Sequence, residues 1–235
     1  MALALALPLA CAITSVVIGA LLGGKAYVVV SFIVVLCAVV PFFVIFEARR
    51  PQARELVMLA VMCALAVTAR AAFIWLPGFK PMAAIIMIAG IAFGPSSGFL
   101  VGSLAALTSN FIFGQGPWTP WQMLAFGLVG LVAGLLADAR VFPRANLSWP
   151  RRIALAVTGF VLIVGLAGPI LDTSTFFYLS TAPTPELAAT VYLAGLPVNA
   201  IHGAATALTL LVVANPLLDQ LARVRVKYGL LNRSR

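Results

Sequence analysis

Residues 110–123 combine turn-forming residues, flat aromatic rings and uncharged amides in one short segment between two apolar stretches. The segment reads NFIFGQGPWTPWQM, and its candidate binding residues are Asn110, Gln115, Trp118, Trp121 and Gln122. Amides can donate and accept hydrogen bonds, and indole rings offer flat apolar surface, so this set suits the binding of a polar organic molecule. Tryptophan is also common at the lipid headgroup level, which makes an interfacial anchor the alternative. The amides and prolines favour a ligand site.

Polar side chains within or beside apolar stretches form a second set of candidates, which comprises Arg70, Lys80, Asn199 and His202. Such groups are costly in hydrocarbon and usually face the interior of a helix bundle. Asn199 and His202 are about one helical turn apart and can share a face, although a lone histidine is more often a packing residue than a ligand. Three roles stay open for Arg70: reaching the lipid headgroups, pairing with Asp172, or binding a substrate anion.

The sequence lacks the motifs of several catalytic classes. It contains no Walker A sequence, no HExxH zinc motif and no GxSxG nucleophile motif. The cysteines Cys11, Cys37 and Cys63 lie in separate apolar stretches, without the spacing of a metal site. Carboxylates are absent from the interior of these stretches, and Asp172 follows the end of one of them, so the sequence indicates no acid–base pair within the membrane. We therefore predict a binding protein that is neither an enzyme nor a metalloprotein and has no energy source of its own.

The composition is that of a membrane protein: 63% of the 235 residues are hydrophobic and only 9% are charged. The net charge of +9 does not indicate nucleic acid, because most Lys and Arg residues fall within 49–54, 140–152 and 223–235. Basic residues gather in this way in the cytoplasmic loops of membrane proteins. We expect a multi-pass protein of the bacterial cytoplasmic membrane with both termini in the cytoplasm.

Apolar runs predict an all-α fold, a polytopic membrane helix bundle. The predicted spans are 1–22, 26–46, 56–77, 82–93, 98–113, 121–137, 153–171 and 187–217. They divide the chain into an N-terminal transmembrane hairpin (1–46), a cytoplasmic basic loop (47–55), a six-helix substrate-binding core (56–218) and a cytoplasmic basic tail (219–235). On this topology residues 110–123 face outward, and the outer ends of the core spans collect the unusual polar residues.

Small residues recur at the spacing that lets membrane helices approach closely. Gly90, Gly94, Gly98 and Gly102 occupy every fourth position, and Gly127, Gly130 and Gly134 line a later span. These runs predict tight helix packing. Ala60 and Ala64 form a small-xxx-small pair on the first core span, which is either ordinary membrane-helix composition or a docking face for another membrane protein.

From about Arg54 onward the chain resembles the S components, the substrate-binding subunits of energy-coupling factor (ECF) transporters for vitamins. The six core spans carry this resemblance, together with the pair Ala60 and Ala64 and the run FKPMAAIIMIAGIAFGPSSGFLVGSLAALTSNFIFGQGPWTPWQM. Its last part, FGQGPWTPWQM, is similar to the S components assigned to cobalamin and related cofactors. The resemblance implies a protein that captures a vitamin, with cobalamin as the best guess, from outside the cell. Uptake would be driven by a transmembrane coupling subunit and two cytoplasmic ATPases.

The resemblance also assigns roles to residues. It implies that Ala60 and Ala64 dock on the coupling subunit, that residues 115–122 cover the ligand, and that Arg70 and Lys80 lie beside the first outer loop. The vitamin would be the transported substrate, with no covalently bound cofactor. The N-terminal hairpin departs from the six spans of typical S components.

Three alternative functions remain open at the level of the sequence. A solitary facilitator of a small organic solute would transport without an ATPase. A membrane enzyme would use Arg70, Asp172 and His202 on a lipid-linked substrate. A structural membrane subunit would have no ligand at all.

Overall fold

The structure is a computed structural model that describes residues 51–179 and 184–227, together with Ile33, Val40, Val44, Phe46 and Glu47. The N-terminal hairpin predicted over 1–46 falls outside the described residues except for four of these positions. The end of the predicted tail, 228–235, also lies outside them.

The described chain folds into helices that follow the predicted core spans. They are α1 (Ala53–Ala72), α2 (Met82–Phe93), α3 (Pro95–Phe113), α4 (Thr119–Asp138), α5 (Trp149–Leu162), α6 (Gly168–Leu179) and α7 (Pro185–Lys227). A π-helical turn, Ile163–Ala167, joins α5 to α6, so these two helices form one continuous span. Within the described residues, five spans are long and apolar enough to cross a membrane, and α2 is shorter. The prediction of an all-α membrane helix bundle is confirmed.

The last two spans are longer than the apolar runs that predicted them. The span formed by α5 and α6 covers Trp149–Leu179 rather than 153–171, and α7 continues through Pro197 and Pro216 to Lys227. The first part of the predicted basic tail is therefore helical. Apolar runs indicate which residues can lie in hydrocarbon, whereas a helix can extend into polar sequence as long as its backbone hydrogen bonds continue.

The short helix α2 forms the centre of the bundle. Its residues from Met82 to Ala92 are all buried, and α1, α3, α4 and α7 pack around it. A helix that is apolar on every side is stable where neighbouring helices surround it completely. Because protein covers α2, the helix does not need the length of a lipid-exposed span.

The predicted glycine packing joins α2, α3 and α4. A Cβ atom on Gly90 would lie 2.2 Å from the Gly130 carbonyl oxygen, and one on Gly102 would lie 2.2 Å from the Phe126 carbonyl oxygen. Both distances are far shorter than a van der Waals contact, so these positions accept only glycine without movement of the backbone. The contacts fix the position of α4, which carries Gln122 and Phe126 to the site described below.

Candidate ligand-binding site

A cavity of about 520 Å³ lies where the end of α1 and the start of α2 meet α4, α6 and α7. Its charged, amide and imidazole lining residues are Arg70, Lys80, Gln122, Asp172, Asn199 and His202. Much of the remaining lining is apolar and includes Phe126, Leu171 and Val191. Pockets of roughly 300–1,000 Å³ with apolar walls and a few polar groups hold small organic ligands. The cavity thus has the size and composition of a small-molecule site.

Arg70, near the end of α1, is directed into the bundle. Only 6% of its surface is exposed, and its Nη1 donates to Ser109 Oγ and, across 2.9 Å, to Asn110 Oδ1. The guanidinium carbon lies 4.3 Å from the centre of the Phe113 ring. Within the described chain no ion pair joins Arg70 to Asp172. Arg70 therefore neither reaches out to headgroups nor pairs with Asp172, and anion binding stays as the prediction for this residue.

Asn110 connects the Arg70 side chain to the start of α4. Its Nδ2 donates to Thr119 Oγ1 across 2.9 Å and to Gln122 Oε1 across 2.8 Å. Asn110 is buried and does not line the cavity, whereas Gln122 does. The amide of Asn110 thus positions two lining residues, Arg70 and Gln122.

Gln115 stabilises the turn between α3 and α4. Its Oε1 accepts a hydrogen bond from Thr119 Oγ1 across 2.9 Å, and its Nε2 donates to the Leu107 carbonyl oxygen across 3.0 Å. The side chain does not line the cavity. These bonds bring the turn back against the end of α3, so Gln115 acts on the local fold.

Trp118 and Trp121 pack against the end of α6 and do not line the cavity. Trp121 is 2% exposed, and its ring lies 6.2 Å from that of Phe177. Trp118 is 39% exposed and meets Tyr178 edge to face at 6.5 Å between ring centres. Because α6 also carries Asp172, the two tryptophans hold one wall of the cavity in place.

Lys80 lies in the connection between α1 and α2 and is half-buried. Its Nζ is 5.4 Å from the centre of the Phe113 ring, the same ring that Arg70 contacts. Burial, and to a smaller extent the positive charge of Arg70, lowers the pKa of the Lys80 ammonium below its ordinary value. The two cations thus lie close enough to repel each other at the cavity wall.

Asp172 on α6 is paired with Asn199 on α7. Asn199 Nδ2 donates to Asp172 Oδ2 across 2.8 Å. A Cβ atom on Gly195 would lie 2.4 Å from Asp172 Oδ1, and one on Gly168 would lie 2.5 Å from Asn199 Nδ2. The two glycines therefore provide the space that the polar pair occupies. The sequence suggested Asp172 as a partner for Arg70 and as a catalytic group of the enzyme alternative, and it gave no signal for Gly195.

His202 shares the cavity-facing side of α7 with Asn199, as their spacing predicted. The centre of its ring lies 5.7 Å from that of Phe126, and the ring also contacts the Lys80 backbone. Its Nε2 is buried, and none of the described residues provides a hydrogen-bond partner for it. Since buried polar atoms are nearly always paired in native proteins, this nitrogen is a site where a ligand or a bound water would form a hydrogen bond.

Ala60 and Ala64 lie away from the cavity, on an exposed face of α1. The neighbouring large side chains on this face, Val57, Val61 and Leu65, are also exposed. An apolar groove of about 390 Å³ beside Ala60 runs between the start of α1 and α3. The face is accessible to another helix, as a docking surface requires.

A bundle of apolar helices around a ligand-sized cavity defines a multi-pass membrane protein with a candidate small-molecule site. The chain belongs to the family described as ECF-type riboflavin transporter, S component, whose family model matches residues 51–223. The resemblance to S components is therefore confirmed over the predicted core. S components of ECF transporters work with a transmembrane coupling subunit and two ATPases, and the vitamin is the cargo rather than a bound cofactor.

Relatives of this chain include UPF0397 proteins, which belong to the same family. A UPF0397 protein of Vibrio atlanticus (strain LGP32) is 32% identical over 104 residues, which cover 43% of this chain and 53% of the relative. A UPF0397 protein of Lactococcus lactis subsp. cremoris (strain NZ9000) is 29% identical over 154 residues, which cover 64% of this chain and 77% of the relative. The match thus spans about half the length of the Vibrio relative. No solved structure matches the chain.

Proposed function

We propose that this protein is a binding subunit that captures a vitamin outside the cell for ATP-driven uptake. A transmembrane coupling subunit and two ATPases would supply the energy. The observation that carries the proposal is the cavity of about 520 Å³, in which polar groups from the ends of several helices converge. Family membership supports a transporter component rather than an enzyme.

The distribution of charge supports an outward-facing cavity. The cavity lies at the end of α1 and the start of α4, whereas Arg140, Arg144 and Arg151 follow the opposite end of α4. Basic residues of membrane proteins concentrate on the cytoplasmic side. On this reasoning the basic loop between α4 and α5 is cytoplasmic and the cavity opens to the outside.

The cavity volume and the family description favour a vitamin of about the size of a flavin. A corrinoid such as cobalamin is several times larger than the small ligands that pockets of roughly 300–1,000 Å³ enclose. The family is described by riboflavin, so the cobalamin assignment has no support from the comparisons. Flavins, the neutral riboflavin and its phosphate FMN, are therefore the first compounds to test.

The exposed face with Ala60 and Ala64 is the proposed docking surface for the coupling subunit. Small side chains let two helices approach closely, and in lipid such packing contributes much of the association energy. The face lies on the side of α1 that faces away from the bundle. A partner could thus bind there without entering the cavity.

Calorimetry on the purified full-length protein with a panel of vitamins tests the proposal. We expect tight one-to-one binding of one vitamin, and its recovery from the protein without chemical change. Val198→Trp, which places a large side chain at the cavity wall, should abolish this binding. Val212→Trp is the matched control, because Val212 is 70% exposed on the same helix and does not line the cavity.

Three outcomes would contradict the proposal. A folded protein that binds no vitamin would reject the binding function. A chemically altered ligand would indicate the enzyme alternative. Uptake that persists in cells without the ATPases would indicate a solitary facilitator.

A further inference from the structure

Arg70 and Lys80 provide two positive charges at the cavity wall that the described part of the protein does not neutralise. A guanidinium has five N–H donors. Arg70 uses Nη1 for two neutral acceptors, Ser109 Oγ and Asn110 Oδ1, while no described residue accepts from its Nε or Nη2. Lys80 Nζ lies against the Phe113 ring, and no described carboxylate is within ion-pair distance of it.

The carboxylate of the cavity, Asp172, does not balance these charges. Its Oδ2 accepts a hydrogen bond from Asn199, and its Oδ1 lies against Gly195. The ion pair between Arg144 and Asp138 lies far from the cavity, at the opposite end of α4. The cavity therefore has a cationic side, formed by α1 and the connection after it, and a separate carboxylate–amide side, formed by α6 and α7.

An uncompensated cation in a low-dielectric site is costly unless a counter-charge is present. Arg70 is almost fully buried, and the close approach of Lys80 adds to the unfavourable positive potential. A neutral carbonyl could accept a hydrogen bond there, yet it would leave both charges unbalanced. An oxyanion would offset positive charge and also accept charge-assisted hydrogen bonds from these side chains, which are roughly twice as strong as neutral ones.

We propose that the transported ligand carries an anionic oxygen group, a carboxylate or a phosphate, which binds to Arg70 and Lys80. The inference rests on the proposed function, because it concerns the ligand of the same cavity. The guanidinium supplies a fork of donors that matches two oxygen atoms, and the ammonium acts as a compact point charge. Both cations line the same cavity and lie near the ring of Phe113, and Arg70 lowers the pKa of Lys80, so the two positive charges belong to one part of the cavity wall.

Pairs of compounds that differ mainly in charge test this inference. The full-length protein is titrated by calorimetry with FMN and riboflavin, biotin and biotinamide, pantothenate and pantothenol, and nicotinate and nicotinamide. For the pair that binds, we expect the acidic member to bind at least about tenfold more tightly, as a charge-assisted contact in a buried site implies. The FMN pair tests a phosphate, and the other pairs test a carboxylate.

The outcomes separate this inference from the proposed function. Binding of a neutral vitamin as tightly as its acidic counterpart would overturn the inference and leave the vitamin-binding function intact. Failure of every compound to bind a folded protein would overturn both.

Variants then locate the charge preference. Lys80→Gln should reduce the preference for the acidic member severalfold, since Lys80 Nζ contributes charge to the site. Arg70→Gln should reduce the preference further. Arg151→Gln is the control, because Arg151 is exposed at the opposite end of the bundle. Lys80 lies in a connection, and among the described residues its ammonium lies near the ring of Phe113. Lys80→Gln is therefore expected to fold, and it tests the assignment even if Arg70→Gln does not fold. An unchanged preference in Lys80→Gln and a lost preference in Arg151→Gln would each overturn the assignment.

Discussion

Arg70 Nη1 donates to Asn110 Oδ1 across 2.9 Å, and this bond joins the end of α1 to the end of α3. The same amide donates through Nδ2 to Gln122, so one buried side chain orients two residues of the cavity wall. Binding groups whose positions are fixed in advance lose less conformational entropy when a ligand arrives. Asn110, which the sequence predicted to contact the ligand, thus positions residues that line the cavity.

The Asn110 network can be tested with two substitutions. Asn110→Ala removes three side-chain hydrogen bonds in a buried site, and we expect it to lower the free energy of unfolding by about 1–3 kcal/mol. Asn110→Asp keeps the acceptor and places a negative charge beside Arg70, so it should weaken binding of an acidic ligand more than that of its neutral counterpart. Thermal unfolding and calorimetry measure both effects. Equal weakening of the two ligands by Asn110→Asp would contradict a role for the Arg70 charge.

Gly195→Ala tests the contact between α7 and Asp172. The new Cβ atom would lie 2.4 Å from Asp172 Oδ1, so the carboxylate must move within the cavity. We expect ligand affinity to fall about tenfold, which corresponds to about 1.4 kcal/mol. Gly165→Ala is the control, since a Cβ atom there would have no neighbour within 4 Å. Similar affinities for the two variants would show that the position of Asp172 does not matter for binding.

His202→Phe should separate stability from binding. The phenyl ring keeps the contact with Phe126 and removes the unpaired Nε2. The free energy of unfolding of the ligand-free protein should therefore rise by about 1–3 kcal/mol, and its unfolding temperature should rise with it. Ligand affinity should fall, because a bound molecule would lose a hydrogen bond to that nitrogen. Differential scanning fluorimetry measures the stability of the variant, and calorimetry measures its ligand affinity. A stabilised variant with unchanged affinity would show that Nε2 does not form a hydrogen bond with the ligand.

Lys80 makes binding of an acidic ligand dependent on pH. Its lowered pKa means that it loses its charge at a lower pH than an ordinary lysine, so affinity should fall as pH rises through that value. The charged or titratable groups around it are Arg70, His202 and, on the far side of the cavity, Asp172. The ordinary pKa of arginine is higher than that of lysine, and those of histidine and aspartate are lower. Lys80→Arg should therefore remove the alkaline decrease, and a decrease that persists in this variant would assign it to another group.

The same shift predicts the pH dependence of stability without ligand. Because the unfolded chain holds the Lys80 proton to a higher pH than the folded protein, the free energy of unfolding should rise with pH between the two pKa values. Chemical denaturation of wild type and Lys80→Arg at several pH values in this range measures how the free energy of unfolding of each depends on pH.

Ala64→Leu tests the docking face of α1. The larger side chain should prevent close approach of the coupling subunit and abolish uptake in cells. Binding of the ligand to the purified variant should stay within about twofold of wild type, because Ala64 does not line the cavity. Val212→Leu, on the exposed face of α7, is the matched control and should transport normally. Loss of both binding and uptake in Ala64→Leu would indicate a folding defect instead of a docking defect.

Much of the fold follows from local properties of the sequence. The span predicted at 82–93 coincides with α2, and Gly90, Gly98 and Gly102 lie in close helix contacts as their spacing predicted. Gly94 differs, because it lies between α2 and α3 and a Cβ atom there would have no neighbour within 4 Å. Hydropathy and small-residue spacing depend on residues within one or two helical turns, so a single sequence contains them. For the same reason the shared face of Asn199 and His202 could be derived from their spacing alone.

The partners of the polar residues could not be derived in this way. The sequence allowed Arg70 to pair with Asp172, whereas the structure pairs Arg70 with Asn110 and Asp172 with Asn199. Trp118 and Trp121 likewise belong to the packing between α4 and α6 rather than to the cavity lining. Such pairings depend on how each helix is rotated and on how closely it approaches its neighbours.

The sequence by itself determined that this is a membrane helix bundle with the features of an S component, because length, hydropathy and motif are properties of the chain. The tertiary structure decided which side chains meet at the cavity. Backbone contacts such as that between Gly102 and Phe126 set the rotation and depth of each helix, and these positions select Arg70, Lys80 and Gln122 for the cavity wall. These contacts join residues far apart in the chain, so no local pattern contains them.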